Sequence, residues 1–89
     1  AGAAWLQHPF SMVRTVAAGA FSRSPLGPAA LARIAGHLEE PNAYARMRFL
    51  LAVERIIGRR LSEEEYSLTG PAARRRSQIR DLGGYLWTP

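Results

Sequence analysis

Apolar residues recur along this chain at helical spacing, and no segment alternates apolar and polar residues as a strand would. The first apolar stripe follows Ser11, which suits the N-cap of a helix, and it predicts a helix to about residue 21. The stripe consists of Met12, Val13, Val16, Ala20 and Phe21. Residues 22–27 read SRSPLG, a turn-forming sequence that separates this helix from the next.

Two further helices are predicted in the middle of the chain. Pro28 suits the first position of the second helix, because its missing N–H would be unpaired there in any case. Apolar residues then follow at i, i+3, i+4 and i+7 and form one amphipathic face, made of Leu31, Ile34, Ala35 and Leu38. Residues 39–41 close this helix, and the third and strongest helix is predicted from about Asn42 to Arg60.

The last third of the chain predicts two shorter helices. Ser62 with Glu65 forms a capping-box pattern, and a short helix follows it until Gly70 and Pro71. Residues 72–76 are then expected to form a basic loop before Ser77 caps a final helix. The apolar residues of that helix are Ile79, Leu82 and Leu86, and its anchors are Tyr85 and Trp87.

These elements together predict an all-α domain, a small bundle of four to five short helices. We expect a single domain over residues 1–89, with an irregular N-terminal arm at residues 1–10 and the helical bundle at residues 11–86. No apolar run approaches the ~20 residues needed to span a bilayer, so no transmembrane helix is predicted.

Charge narrows the range of partners. All twelve basic residues are arginine, and the net charge of +5 favours acidic protein surfaces, anionic lipid or RNA. Residues 1–38 contain no acidic residue, while Arg14, Arg23 and Arg33 lie among Ala, Ser and Gly, a pattern typical of mitochondrial transit peptides. We therefore expect a mitochondrial protein, in the matrix or at the inner membrane.

The segment at residues 41–61, PNAYARMRFLLAVERIIGRRL, resembles the recognition helix of acyl carrier proteins. An acidic turn follows at residues 62–65, and residues 79–86 (IRDLGGYL) are similar to the last carrier helix. Residues 11–21 are loosely similar to the first. The other matching residues are Ala52, Val53, Glu54, Gly58 and Leu61. The resemblance implies a carrier-like fold of four helices.

The reactive serine of that family is missing. Carriers begin this helix with Asp-Ser-Leu, and the serine holds phosphopantetheine, whereas this chain has Asn42, Ala43 and Tyr44. Since Ala43 cannot carry a prosthetic group, no cofactor is expected. The resemblance thus implies a helical module that binds other molecules.

The third helix is the predicted contact element. Arg48, Arg55 and Arg59 fall within a strip about 40° wide, and much of the remaining circumference is apolar. An apolar arc this wide needs cover on more than one face, supplied either by a partner protein or by the other helices of the domain. The predicted partner contacts are the arginine strip, the outer face at Phe49, Val53 and Ile56, and the arm residues Trp5 and Phe10.

No pattern of residues predicts an enzyme or a metal site. The chain has no cysteine, and its two histidines, His8 and His37, lie about thirty positions apart without a nucleophile–base pattern. The acidic residues lack the paired spacing of metal ligands, and no glycine-rich phosphate loop is present. We expect no catalytic residue, no metal ligand and no small-molecule substrate.

Two functional hypotheses follow. The first is a non-catalytic accessory subunit of a larger mitochondrial assembly, with a respiratory-chain complex preferred because acyl carrier proteins serve as subunits there. The second is an RNA-binding subunit of an organellar ribosome, in which a basic loop neutralises phosphates. The residues of that second site are Arg74, Arg75, Arg76 and Arg80, which could equally meet anionic lipid. Two further alternatives are a carrier that uses another serine and a small bacterial interaction domain or a fragment of a larger chain.

Overall fold

Four α-helices and one 3₁₀ turn make up the regular structure of residues 5–86, the part of the chain that this computed structural model describes. The elements are α1 (Ser11–Ser22), α2 (Gly27–Gly36), the 3₁₀ turn (His37–Glu39), α3 (Ala43–Ile57) and α4 (Ala72–Gly83). No strand occurs among these residues, which confirms the all-α prediction. Residues 1–4 and the predicted anchor Trp87 lie outside the described residues.

Helix α3 is the central element of the bundle. It packs against α1, α2 and the 3₁₀ turn, while α4 packs against the 3₁₀ turn and α2. The largest fully buried apolar side chains come from the N-terminal arm and from every element except α1: Leu6, Ile34, Leu38, Phe49, Val53 and Leu82. Because Leu6 belongs to this core, the N-terminal arm is packed into the bundle at that point.

The ends of α3 follow from local chemistry. The Asn42 side chain caps the helix, since its Oδ1 accepts the Ala45 N–H at 2.9 Å. Gly58 ends the helix with φ of 78°, a left-handed conformation that favours glycine, and the helix stops before the predicted Arg60. At α1 the predicted cap is wrong, because Ser11 is the first helical residue and Phe10 holds the cap position without a side-chain bond.

The predicted helix after Ser62 does not form, although its capping box does. The Glu65 N–H donates to Ser62 Oγ at 3.2 Å, and the Ser62 N–H donates to Glu65 Oε1 at 3.0 Å. The next helical bonds would use the carbonyls of Glu63 and Glu64, but the Gln78 amide nitrogen donates to both at 3.0 Å. Gln78 Oε1 also accepts the Ser67 N–H at 2.8 Å, so a side chain of α4 replaces the second turn.

The predicted basic loop is helical. Helix α4 begins at Ala72, directly after Pro71, so residues 74–76 lie in its first turns and not in a loop before Ser77. Alanine and arginine are both strong helix formers, and the chain needs no break until Gly83 and Gly84. The loop prediction was wrong because it weighted charge over helix propensity.

Candidate functional site

An open apolar groove runs along the outer side of α1. Its volume is about 690 Å³, and its main lining residues are Trp5, Met12, Val16, Ala20, Phe21 and Leu26. Met12 is 75% exposed and Val16 is 63% exposed, which is unusual for large apolar side chains on one helix face. We call this feature the α1 groove.

Helix α1 presents Met12 and Val16 to solvent and smaller residues to the protein, while Phe21 at its end packs partly against the core. Its buried residues are Thr15, Ala18 and Ser22, whereas Met12 and Val16 face outward. The two inward hydroxyls are satisfied inside the helix, because each donates to a carbonyl three residues earlier, at 2.8 Å and 2.7 Å. The small inner face lets α1 lie against α3, and the apolar outer face has no cover among the described residues.

The turn after α1 completes the groove. Leu26, which is exposed, returns beside the end of α1 because Gly27 allows a close approach there. A Cβ at Gly27 would lie 2.9 Å from the Phe21 carbonyl oxygen and 3.3 Å from Ile56 Cγ1. The absence of a side chain at Gly27 therefore lets the first residue of α2 pack closely against both α1 and α3.

Trp5 and Phe10, two of the predicted contact residues, lie at the surface near the start of α1. Both side chains are exposed, and Trp5 lines the α1 groove. Their rings flank His8, with ring centroids 5.9 Å and 5.5 Å from the imidazole. The N-terminal segment thus forms an exposed aromatic cluster at one end of the groove.

The predicted outer face of α3 is not a surface. Phe49 and Val53 are both 0% exposed, and Ile56 is partly buried against the same core. The prediction of partner contacts at Phe49 and Val53 was therefore wrong, because the other elements of the domain cover α3 on both sides. The His37 imidazole stacks on the Phe49 ring at 4.9 Å between centroids.

The predicted arginine strip is divided. Arg59 Nη1 and Nη2 bind the two carboxylate oxygens of Glu65 at 2.9 Å and 2.8 Å, and Tyr85 donates to the same carboxylate at 3.0 Å. The hydrogen bonds to the Glu65 carboxylate hold its pKa far below the usual range, and those from Arg59 have the largest effect. Arg48 and Arg55 instead share a small cleft with Arg23 of α1. Sequence reasoning missed Arg23, which enters the site only because α1 packs across α3.

The four arginines predicted to bind RNA do not form one patch. Arg75 is buried, and its guanidinium donates to the backbone carbonyls of Leu68 and Gly70. Arg76 Nε lies 3.3 Å from Glu39 Oε1. Of these four arginines, Arg74 and Arg80 are the two that are exposed and have no ion pair among residues 5–86. The prediction for Arg75 was wrong because a backbone-capping role is invisible in the sequence.

Several absences apply to the described part of the chain. No group of three or more His, Cys, Asp or Glu side chains in residues 5–86 is arranged to hold a metal ion. Within the same residues, no helix combines the length and apolar character that a membrane crossing requires. Ala43, which stands at the carrier serine position, is an exposed first residue of α3.

Comparison with known proteins gives no match for this chain. No family model, curated protein or solved structure is significantly similar to it. The resemblance to acyl carrier proteins therefore stays a prediction from residues 41–86.

Proposed function

We propose that this protein is a non-catalytic helical subunit that binds a partner protein in the α1 groove. The observation that carries the proposal is the outward apolar face of α1, where Met12, Val16, Leu26 and Trp5 are exposed around one cavity. Contiguous exposed apolar surface of this kind marks interaction sites in soluble domains. The proposed partner contact therefore lies on α1, and not on the face of α3 that the sequence predicted.

The occupant that fits best is an amphipathic helix of a partner, with acidic residues beside its apolar stripe. A cavity of about 690 Å³ takes the apolar side chains that a helix presents at i, i+3, i+4 and i+7. The surrounding segment is basic, because residues 1–38 contain no acidic residue. Arg23 and Arg33 have no carboxylate partner among residues 5–86, whereas Arg14 is neutralised by its ion pair with Glu40. Acidic positions on the partner complement this charge.

Charge and shape argue against the other occupants. A second copy of the chain would bring two acid-free, positively charged segments together, which like-charge repulsion opposes. A flat membrane surface would leave a concave groove incompletely filled, whereas helix side chains can enter it. Both occupants remain outcomes that the experiment below distinguishes.

The cellular setting is part of the same proposal. The acid-free, arginine-containing start of the chain favours a mitochondrial location, and the carrier resemblance favours a respiratory-chain assembly as the host. RNA binding has less support, because Arg75 is buried and Arg76 pairs with Glu39. Protein binding has more support, because the apolar residues that line the α1 groove are exposed.

A designed peptide pair tests the proposal directly. One peptide is an acidic amphipathic helix with leucines at i, i+3, i+4 and i+7, and the other is its basic counterpart. We expect the acidic peptide to shift the fluorescence of Trp5 to shorter wavelength as it fills the groove, measured in a Trp87→Phe background because the chain has two tryptophans. We expect Val16→Glu to weaken this binding roughly tenfold, because it places a carboxylate in the apolar groove and next to the acidic residues of the peptide.

Ala32→Glu is the matched control, because Ala32 is an exposed alanine of α2 outside the groove. It makes the same change in net charge and should leave the affinity nearly unchanged. Equal effects of the two substitutions, or equal binding of both peptides, would contradict the proposal. Concentration-dependent dimerisation that Val16→Glu abolishes would identify a second copy as the occupant, and anionic vesicle binding that it abolishes would identify a membrane.

A further inference from the structure

A small polar cleft lies between α1 and α3, on the side of α1 that faces the protein. Three arginines line it, Arg23 from the end of α1 and Arg48 and Arg55 from α3. Thr15, Gly19 and Ser22 form the α1 side, and the volume of the cleft is about 70 Å³. We call it the arginine cleft; it is distinct from the apolar groove in its lining and its chemistry.

The positive charge of the arginine cleft is not neutralised by the protein. No acidic residue lines it. The ion pairs among residues 5–86 involve Arg14, Arg59 and Arg76, so none of the three cleft arginines has a carboxylate partner there. Three guanidinium groups that share one cleft repel one another, and a bound anion would relieve that repulsion.

The rest of the lining favours an anion over a neutral polar ligand. The hydroxyls of Thr15 and Ser22 already donate to carbonyls of their own helix. Each hydroxyl proton is therefore already engaged, and these two oxygens can only accept further hydrogen bonds. The side-chain donors left to bind a ligand in the cleft are the guanidinium groups. A planar fork of N–H donors matches the oxygens of a phosphate in a bidentate way.

Gly19 lines the arginine cleft and affects the position of Arg23. A Cβ at this position would lie 3.2 Å from Arg23 Nη1, closer than most real contacts. Glycine therefore leaves room for the Arg23 guanidinium against α1, at the cleft that Arg48 and Arg55 also line. In a helix interior glycine is otherwise unfavourable relative to alanine by about 1 kcal/mol.

We propose that the arginine cleft is a binding site for a phosphate group. Its small volume fits a single phosphate, carried by a soluble phosphomonoester or by a lipid headgroup. The site does not depend on the partner helix proposed for the α1 groove. The two proposals fail separately, because Val16→Glu should leave phosphate binding intact.

Titration with inorganic phosphate, followed by NMR at constant ionic strength, tests the site. We expect saturable shifts at the Gly19 and Arg23 amides and at the side-chain Nε–H groups of Arg48 and Arg55. Arg48→Gln should weaken binding roughly tenfold, the effect of losing one charge-assisted hydrogen-bonding partner. Arg80→Gln, which removes an exposed arginine outside the cleft, should leave the affinity nearly unchanged.

Two glycine-to-alanine substitutions test whether the shape of the cleft affects phosphate binding at constant charge. Gly19→Ala should shift the Arg23 guanidinium by a few tenths of an ångström and weaken phosphate binding modestly, without changing the net charge. Gly36→Ala is the control, since a Cβ there would meet nothing within 4 Å. Equal effects of the two alanines would overturn the proposed role of Gly19.

Vesicles of phosphatidylcholine, with and without phosphatidic acid, identify the source of the phosphate. Saturation by inorganic phosphate alone supports a soluble ligand, and Arg48-dependent binding confined to phosphatidic acid vesicles supports a headgroup. Unsaturable shifts spread over all arginines, or equal losses in Arg48→Gln and Arg80→Gln, would overturn the site as an effect of net charge.

Discussion

Two arginines of this domain lie almost fully buried and serve as donors to backbone carbonyls. Arg46, which is 7% exposed, donates to the carbonyls of Glu40 and Pro41 at 2.9 Å and 2.8 Å and to Leu68 at 3.2 Å and 3.1 Å. Arg75 donates to the same Leu68 carbonyl from α4. Because both guanidiniums meet at Leu68, they join the irregular segment before α4 to the start of α3.

Replacing Arg46 tests this role at the residue scale. Arg46→Met keeps much of the volume but leaves the carbonyls of Glu40 and Pro41 without their side-chain donor and Leu68 with Arg75 alone. We therefore expect the free energy of unfolding to fall by about 2–4 kcal/mol. Urea denaturation followed by circular dichroism measures the change. Arg60→Met, at an exposed position, is the control and should stay within about 0.5 kcal/mol of the parent. A similar small loss for Arg46→Met would contradict the capping role.

His37 makes the stability of the domain depend on pH. Burial lowers the pKa of His37 below 6.5, and the nearby charge of Arg14 acts in the same direction while Glu40 opposes both. As the pH falls through 6.5, the unfolded chain therefore takes up a proton that the folded protein does not. The free energy of unfolding is then expected to decrease toward the lower, folded-state pKa and to level off below it.

Unfolding measurements between pH 7.5 and pH 5.5 check this expectation, with a slope of at most about 1.4 kcal/mol per pH unit. His37→Gln should flatten the slope in this window, although it also loses the stacking on Phe49 and lowers the stability at every pH. A parent protein whose stability does not change over this range would disprove the assignment.

At the scale of elements, α3 is determined locally and the segment that follows it is not. Its N-terminus is capped by Asn42 and its C-terminus by Gly58 at φ of 78°, both readable from residue type. The segment at residues 62–67 carries an equally clear helix signal in its capping box. That signal is overridden by Gln78, which binds the carbonyls of the next turn from α4.

The cap of α3 gives a prediction at this scale. Asn42→Ala removes the bond from the Ala45 N–H and should lower the free energy of unfolding by about 1 kcal/mol. Asn42→Asp keeps an acceptor at the same position and should retain most of the parent stability. Thermal or urea unfolding compares the three proteins. Equal losses for both substitutions would show that the side-chain cap does not stabilise α3.

At the scale of the whole molecule, the apolar residues divide between a core around α3 and an uncovered face on α1. Phe49 and Val53 lie in that core, and Met12 and Val16 lie on that face. Burial gives the first pair its stabilising effect, while the second pair contributes little until a partner removes it from water. Folding and binding therefore depend on different apolar residues.

A pair of alanine substitutions separates the two roles. Phe49→Ala should lower the free energy of unfolding by about 3–5 kcal/mol, much of the 5–15 kcal/mol typical of a domain. Met12→Ala, at a position 75% exposed, should change it by no more than about 0.5 kcal/mol and weaken binding of the acidic helix. Circular dichroism and the peptide titration measure the two effects. A large loss of stability in Met12→Ala would place that residue in the core instead.

Sequence alone determined that the chain is helical and where most helices lie. Helical spacing, the proline at the start of α2 and Asn42 are local signals, and each acts through its own neighbours in the chain. Gly58 is a local signal too, although the prediction of a helix to Arg60 did not use it. The basic charge was also readable, because it requires no knowledge of packing.

Only the tertiary structure decided which face of each helix is inside. Helix α1 carries a small-residue stripe and an apolar stripe at the same period, and close packing against α3 selects the small one. Long-range contacts likewise turned Arg75 into a backbone cap, paired Arg59 with Glu65 and brought Arg23 beside Arg48. These outcomes depend on residues far apart in the chain, which periodicity and composition cannot relate to one another.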